Sequence, residues 1–565
     1  MPAIDTSMAT LSKDLQQILA GVYSPAQLKS LVPSLISKAN AFSITKPQKL
    51  SLDQNDIMLI SYGDSIKKDG EAPLHTLRMF LNQHTQHEIS AVHLLPCYPF
   101  TSDDGFSVID YWEINSELGG WEDVRALSAD YDLMLDAVIN HISQSSNWFQ
   151  GYLEGSEEYQ DFFLEADPQL NYGSVTRPRA LPLLSAFETS RGLKHVWTTF
   201  SSDQIDLNYR SPALFAKVVE LLLYYVEQGA RYIRLDAIGF MWKELSTPCI
   251  HLPQTHALVQ AMRAVLDALA PQVKLITETN VPHQDNISYF GNGFNEAHMV
   301  YQFPLPPLTM HTLQTGNSDK IVAWMSSLDA CSASTTFFNF LSSHDGIGVR
   351  PVEGILNPSE VQHLLDVVDA NQGRVSYKDN GDGTQSPYEL NINYFNAVAD
   401  KQASMSTNID RFMAAQTILV SLAGVPGIYI HSLLGSESDL EGLERHGYNR
   451  AINRAQLSVD QLQDELKDVD SQRSRVLARF KQLLGTRKTL AAFAPSASQR
   501  IVKTDSRVVS LVRDESVAVV VNISNQSLDF DTRLLLPGLS QDLLSQQKIT
   551  SVTTLAPYQA MWLSA

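Results

Sequence analysis

At 565 residues, with 44% hydrophobic and 18% charged residues and a formal net charge of −20, the chain has the composition of a soluble globular protein with ample core. The acidity excludes a nucleic-acid partner, whose phosphates require a basic face, and no run of 18 apolar residues offers a membrane-spanning helix. Cys97, Cys249 and Cys331 are odd in number and share no metal-ligand spacing, which speaks against a disulfide framework.

The opening "MPAIDTSMATLSKDLQQILAGVYSP" lacks a basic segment followed by an apolar one, so a cytoplasmic location is expected. Residues 1–50 read as a helical extension, with Leu15, Ile18 and Leu19 on one stripe and Leu31, Leu35 and Ile36 on another. Two uses for these stripes stay open, self-association as a homodimer or packing on the rest of the chain.

From residue 51 to about 490, short apolar runs alternate with helical patterns. The runs are "DIMLISYGDS" (56–65), "AVHLLPCYPF" (91–100), "LMLDAVINH" (133–141), "YIRLDAIGF" (232–240), "VKLITETN" (273–280), "AHMVYQF" (297–303), "TTFFNFLSSHD" (335–345) and "GVPGIYIHS" (424–432). Continuous Val, Ile, Leu and Phe, without polar alternation, mark strands buried on both faces. Between the third and fourth runs, "SPALFAKVVELLLYYVEQGA" carries a helix with Ser211 as N-cap, Pro212 at the first position and Gly229 as its stop. Eight such strands separated by helices predict an α/β fold, a (β/α)8 TIM barrel. Residues 142–210 and 346–400 break the rhythm and are expected to be inserted subdomains. Residues 491–565 change texture, and "RVVSLVRDESVAVVVNIS" predicts a C-terminal antiparallel β domain.

Charged residues fall at the tails of these runs: Asp136, Asn140 and His141, then Arg234 and Asp236, then Glu278, then His344 and Asp345. Barrel enzymes carry their catalytic groups at the C-terminal ends of the strands. Unpaired buried charge costs several kcal/mol each time, so four loaded strand ends point to function. Three carboxylates at one mouth suit acetal chemistry with retention, which needs a nucleophile and a proton donor. Asp236 beside Arg234 fits the nucleophile, since a guanidinium lowers a carboxyl pKa. Glu278, with no adjacent cation in sequence, fits the acid. Asp345 is the third group, holding sugar hydroxyls as the ring flattens.

"DAVINH", "YIRLDA", "ITETN" and "FLSSHD" occur in the order of the four sequence regions of the α-amylase superfamily, glycoside hydrolase family 13, and the chain resembles that family from about residue 55 to its C-terminus. The resemblance implies the same three roles for Asp236, Glu278 and Asp345. It raises calcium at Asn140, but no acidic loop completes such a site, so neither metal nor cofactor is expected.

"SDDGFSVIDYWEIN", "WTTFSSDQIDLNY", "FPLPPLTMHTLQTGN", "SHDGIGVRP" and "GYNRAINR" are similar to the sucrose phosphorylase group of that family. This similarity implies that Asp103 and Arg454 pair to hold a glucosyl ring, with Phe106, His141, Gln204, Phe240 and His344 lining the same subsite. Phosphate entering a site with three carboxylates needs positive charge, and "TRPRALP" (176–182) supplies Arg177 and Arg179. By resemblance Arg179 is the phosphate arginine, helped by Tyr388. The implied partners are a small glucoside and inorganic phosphate, and the implied product is α-glucose 1-phosphate.

Three positions depart from the sucrose-specific pattern: Thr176 stands for Tyr, Asn280 for His and Glu389 for Gln. The stretch from "RPRALPLLSAFETSRGLKHVWTTF", with "ITETNVPHQDNISYFGNG" and "GRVSYKDNGDGTQSPYELNINYF", is closer to the branch acting on glucosylglycerate. There Arg177, Arg374 or Lys378 is expected to meet the carboxylate. Glu389 is an awkward neighbour for an anion, which ranks neutral glucosylglycerol second and sucrose third. A hydrolase or transglucosidase with the same machinery, or a catalytically dead barrel, are the rival classes.

Overall fold

The computed structural model describes residues 2–43, 49–179, 181–380 and 383–565. Eight parallel strands close a barrel: β1 (Met58–Ser61), β2 (Ala91–Leu94), β3 (Asp132–Ala137), β4 (Ala230–Leu235), β5 (Lys274–Thr277), β6 (Met299–Tyr301), β7 (Thr336–Phe340) and β8 (Val425–Tyr429). They neighbour one another in chain order, and β8 returns to β1 through Met58↔Gly427 and Ile60↔Tyr429. All eight apolar runs of the sequence supply one strand each. Every residue of β1, β2, β4, β6, β7 and β8 is buried, as strands covered on both faces require.

Helices cover the outside. The helix Pro212–Glu227 starts as its sequence dictates: the Ser211 hydroxyl accepts from Leu214 N–H at 3.3 Å, and Pro212 occupies the first turn, where no N–H is needed. The chain then turns at Gly229, whose φ of 109° admits no side chain without strain and where a Cβ would meet Ser128 Oγ at 2.6 Å. That turn feeds β4 directly. Between β5 and β6 only the five-residue helix His283–Ile287 and a 3-10 turn intervene, so the chain after Glu278 stays near the barrel mouth.

At the N-terminus, α1 (Pro2–Leu19) and α2 (Pro25–Ala41) pack on the helices Pro253–Leu269 and Pro212–Glu227 respectively. Leu15, Leu19, Leu31 and Leu35 are buried in the same apolar cluster as the barrel. Tyr23 Oη donates to Tyr209 O at 2.9 Å, and Lys38 pairs with Glu220. These stripes are therefore used within the chain. No helix among the described residues is long and apolar enough to cross a membrane.

Two irregular regions rise over the C-terminal ends of the strands. The first holds the hairpin Leu184–Thr189/Gly192–Trp197 and the pair His141–Ser143/Gln204–Asp206. The second is a three-stranded sheet, Ile347–Gly348, Gln385–Asn391 and Arg374–Asp379, with the helix Pro358–Ala370. At the C-terminus a five-stranded sheet buries both faces. Val509, Leu511, Val519, Val521 and Trp562 face the barrel cluster, whereas Val508, Val512, Val520, Met561 and Leu563 build a separate core.

Arg487 ties these parts together. Fully buried in the helix Gln472–Lys488, it donates to the carbonyls of Val420, Gln54, Gly424 and Phe493. Replacing it by Met, similar in length but without donors, leaves four carbonyls short of partners. Arg487→Met is expected to cost about 3 kcal/mol, which thermal unfolding would register as a drop of roughly 2–3 °C; an unchanged midpoint would show that these bonds carry no net stability.

Candidate active site

The site grows from the register of β3, β4 and β5. Arg234 lies opposite Asp136 on β3 and Ile276 on β5. A guanidinium inside a barrel must be paired, and Arg234 meets both Asp136 and, at 2.8 Å, Asp236 through its Nη1. Asp136 is fully enclosed, gripped also by His93 of β2 at 2.6 Å, so it serves beneath the cavity as a counter-ion. Leu235 pairs with Thr277, which makes the next residues, Asp236 and Glu278, neighbours on adjacent strands. Adjacent strands run about 4.8 Å apart, close to the ~5 Å separation that a retaining carboxylate pair requires.

Ala237, just past Asp236, has a φ of 49°, a strained value for a residue with a Cβ. The strain aims the Ala237 N–H at Glu278 Oε2, 3.1 Å away. Arg234 reaches Glu278 only at 3.9 Å. Burial, opposed by Arg234 but reinforced by Asp236 and Asp345, pushes the Glu278 carboxyl up to about 7. For Asp236, burial also raises the pKa, outweighing the pull of Arg234 and His141. That corrects the lowered value expected from its sequence neighbour, since full enclosure by the barrel is not visible in sequence. The direct Arg234 hydrogen bond still makes Asp236 the better place for the negative charge. The shared proton belongs on Glu278.

Asp345 follows β7. Arg450 holds its Oδ1 at 2.8 Å, and His344 Nε2 lies 3.4 Å from Oδ2. Burial opposes ionisation, but Arg450, His344 and Arg454 hold the carboxyl well below the usual range. Burial lowers the His344 pKa to about 3, helped by Arg454 and Arg234, so the ring is neutral. It stacks on Phe106 at 4.8 Å between centroids and 6° between planes. His141, likewise lowered by burial, bonds Phe106 O at 2.8 Å.

One cavity gathers most of the expected residues: Asp103, Phe106, His141, Arg179, Gln204, Arg234, Asp236, Phe240, Glu278, Asn280, His344, Asp345, Tyr388 and Glu389 all line it. Gln204 Nε2 donates to Asp103 at 3.2 Å, and Phe240 meets Phe200 edge-on at 5.5 Å. Tyr388 keeps its proton, because burial, reinforced by Glu389, pushes its phenol up to about 12.

Four expected residues, Arg177, Arg374, Lys378 and Arg454, fall outside the wall. Arg454 does not pair with Asp103; it bonds Asp104 and His344 O, and Asp103 takes Arg179 at 2.8 Å. The consecutive acids, both with positive φ (55° and 47°), serve different arginines. Asp103 is held strongly ionised, since its arginine neighbours outweigh its burial. Arg177 also lies outside the wall, which its segment meets only at Pro178 and Arg179. Thr176 is tied by its N–H to Pro248 O at 2.9 Å, short of the cavity. Arg374 turns to the carbonyl of Gly373 at 2.8 Å, and neither it nor Lys378 lines the cavity.

Sequence reasoning missed Arg450, Arg350, Phe200 and Thr279, which do line it. Arg450 joins Asp345 to Glu389 (3.0 Å), so Glu389 carries a matched charge and is not the obstacle to an anion that its type suggests. The signal is present in "GYNRAINR", where two arginines, Arg450 and Arg454, stand four residues apart. At Asn140, Oδ1 takes the Lys243 ammonium at 3.2 Å, and the same ammonium meets Asp206 at 2.7 Å. That pair of oxygens already shares a cation, and the described residues contain no cluster suited to a metal ion.

Residues 85–350 match the family described as "Alpha amylase, catalytic domain". The glucosylglycerate phosphorylase of Allomeiothermus silvanus is 48% identical over 515 residues, covering 90% of this chain and 91% of that one. The glucosylglycerate phosphorylase of Escherichia coli is 43% identical over 552 residues, 97% of this chain and 98% of that one. Among solved structures, sucrose 6F-phosphate phosphorylase from Thermoanaerobacter thermosaccharolyticum superposes with a TM-score of 0.73 at 22% identity, over 88% of this chain and 98% of that one, a likeness of fold.

The proton assignment has a direct check. In difference infrared spectra, the protonated-carboxyl band absent from Glu278→Gln should bleach as pH rises, with a midpoint at about 7. A midpoint near 4, the ordinary glutamic acid range, would remove the basis for Glu278 as the acid.

Proposed function

The chain belongs to the α-amylase family, with the glucosylglycerate phosphorylases among its relatives, and on that premise we propose that it moves the α-glucosyl group of glucosylglycerate reversibly onto inorganic phosphate. The observation that carries the reading is the neighbouring pair of carboxyls in unlike surroundings, Asp236 hydrogen-bonded to Arg234 and Glu278, without a cation at hydrogen-bond distance, pushed up to about 7.

Asp236 attacks the anomeric carbon as the bond to the glycerate oxygen breaks, and Glu278 gives that oxygen its proton. A glucosyl ester on Asp236 results, with inverted configuration. A phosphate oxygen then attacks the same carbon, its proton passes to the Glu278 carboxylate, and Asp236 leaves. Two inversions give α-D-glucose 1-phosphate. Asp345, kept anionic by Arg450, holds sugar hydroxyls while positive charge builds on the ring. Phe106 stacked on His344, with His141, Gln204 and Asp103, shapes one glucosyl subsite, which suits a small glucoside better than a polymer. Arg179 is the phosphate arginine in this reading, and it reaches phosphate by exchanging its bond to Asp103. Tyr388, neutral at working pH, adds a donor.

Glycerate is favoured over glycerol on two grounds. The named relatives share 43–48% of residues over nearly the whole chain. The Glu389 charge that argued for a neutral substrate is matched by Arg450.

Glucose 1-phosphate supplied with glycerate, glycerol, fructose or water should release phosphate fastest with glycerate, and Asp236→Asn or Glu278→Gln should slow this by at least about 10²–10⁴-fold. Arg179→Ala should damage phosphate-dependent turnover more than hydrolysis. Preference for water, or a β-anomeric sugar phosphate in the NMR spectrum of the product, would overturn the reading.

A further inference from the structure

Four arginines line the cavity: Arg179, Arg234, Arg350 and Arg450. Three of them are matched to carboxylates at hydrogen-bond distance. Arg179 holds Asp103 at 2.8 Å, Arg234 holds Asp236 at 2.8 Å, and Arg450 holds Asp345 at 2.8 Å. Arg350 is the exception. Its buried Nε finds no hydrogen-bond partner, and the one carboxylate within 4.0 Å among the described residues is Glu353, 3.9 Å away and itself 56% exposed. A guanidinium carries five donors, and this one sits in a cavity wall with a buried Nε–H unpaired and no carboxylate at hydrogen-bond distance, so it can take an incoming anion without displacing a partner.

Its position says which reactant does so. The strand Ile347–Gly348 presses against Asn280, so closely that a Cβ on Gly348 would lie 2.8 Å from Asn280 Oδ1. Asn280 stands two residues beyond Glu278, the proton donor to the leaving oxygen. Glu278, Asn280 and Arg350 line the same cavity, with Gly348 bridging from Arg350 to Asn280, so Arg350 lies on the stretch of wall that begins at the proton donor. Lys378, outside the wall, is near enough for Arg350, after burial, to lower its pKa, so the Arg350 guanidinium also faces a like charge behind it.

We propose that Arg350 recognises the carboxylate of the departing or entering acceptor and thereby sets the preference for an α-hydroxy acid over a neutral polyol. The inference rests on the glucosylglycerate reading and names the residue that enforces it. Arg177, Arg374 and Lys378, the cations that sequence offered for this task, lie outside the wall; Arg350 belongs to it. Planar guanidinium and planar carboxylate match in two parallel hydrogen bonds, a geometry that lysine cannot copy. Phosphate keeps its own arginine, Arg179.

Synthesis from glucose 1-phosphate is measured with D-glycerate and with glycerol, for the wild type, Arg350→Ala and Arg350→Lys. Arg350→Ala should lower kcat/KM for glycerate by about 100-fold while changing it for glycerol by less than about three-fold. Arg350→Lys should recover part of the glycerate activity. The KM for phosphate, measured with a neutral aryl α-glucoside as donor, should stay within about three-fold in both variants. Equal losses on glycerate and glycerol would reduce Arg350 to a structural part, and a larger loss on phosphate would make it a second phosphate residue; either overturns the inference. A wild type that prefers glycerol would sink the substrate reading itself, before any variant is compared, and the inference with it.

Discussion

Everything at the barrel mouth depends on one guanidinium. Arg234 sits at the end of β4, 2% exposed, and must be neutralised where it stands. Asp136 does this from the neighbouring strand, with His93 completing the grip. The nitrogen that holds Asp136, Nη1, also holds Asp236, so one donor group ties the counter-ion beneath the cavity to the carboxylate within it. Removing either partner leaves a buried charge exposed to low dielectric, at a cost of several kcal/mol. The asymmetry between the two reacting carboxyls follows from geometry. Asp236 is in direct contact with the guanidinium, while Glu278 is about an ångström too far and accepts only a backbone N–H. In an enclosed cavity that difference decides which group holds the proton.

A second set of ion pairs surrounds the first. Arg450 bridges Asp345 and Glu389, Arg179 holds Asp103, and Arg454 takes Asp104. These pairs join segments far apart in the chain, so the walls of the cavity are positioned by electrostatics as much as by apolar packing. They also fix what an incoming ligand must do. A sugar hydroxyl can accept from one member of a pair and donate to the other without breaking it. An anion must displace a carboxylate or find a cation that lacks one, and Arg179 and Arg350 represent these two cases.

The barrel was legible in sequence because its strands are covered on both faces. Eight continuous apolar runs have no other stable use in a chain this long, and all eight became strands in sequential order. The carboxylate trio was legible for a related reason, since charge at the tail of such a run is too costly to be accidental. What sequence could not show was which charges meet. Asp103 and Asp104 are adjacent, yet a turn through positive φ sends them to different arginines. Arg177 and Arg179 flank one proline, and only the second reaches the wall. The direction of the Asp236 shift was likewise hidden, because local sequence names a neighbouring cation but not the depth of burial that outweighs it.

The distribution of these misses has a physical cause. Residues on β3, β4 and β5 are fixed by register, and register is encoded in hydrophobic pattern. Residues that surround the acceptor come from the two inserted regions and from the short crossover after β5, where no periodic pattern constrains the backbone. Arg179 belongs to the first insertion, Arg350 and Tyr388 to the second, and Asn280 to the crossover. In the proposed reaction the carboxylate trio is thus carried by strand ends, and the choice of partner by loops that can vary without disturbing a barrel core. A protein built this way can keep one covalent step and change what enters after it. The same division explains why the trio follows from eight apolar runs, whereas a single arginine five residues past Asp345 becomes visible as a recognition group only once its unmatched charge is seen in three dimensions.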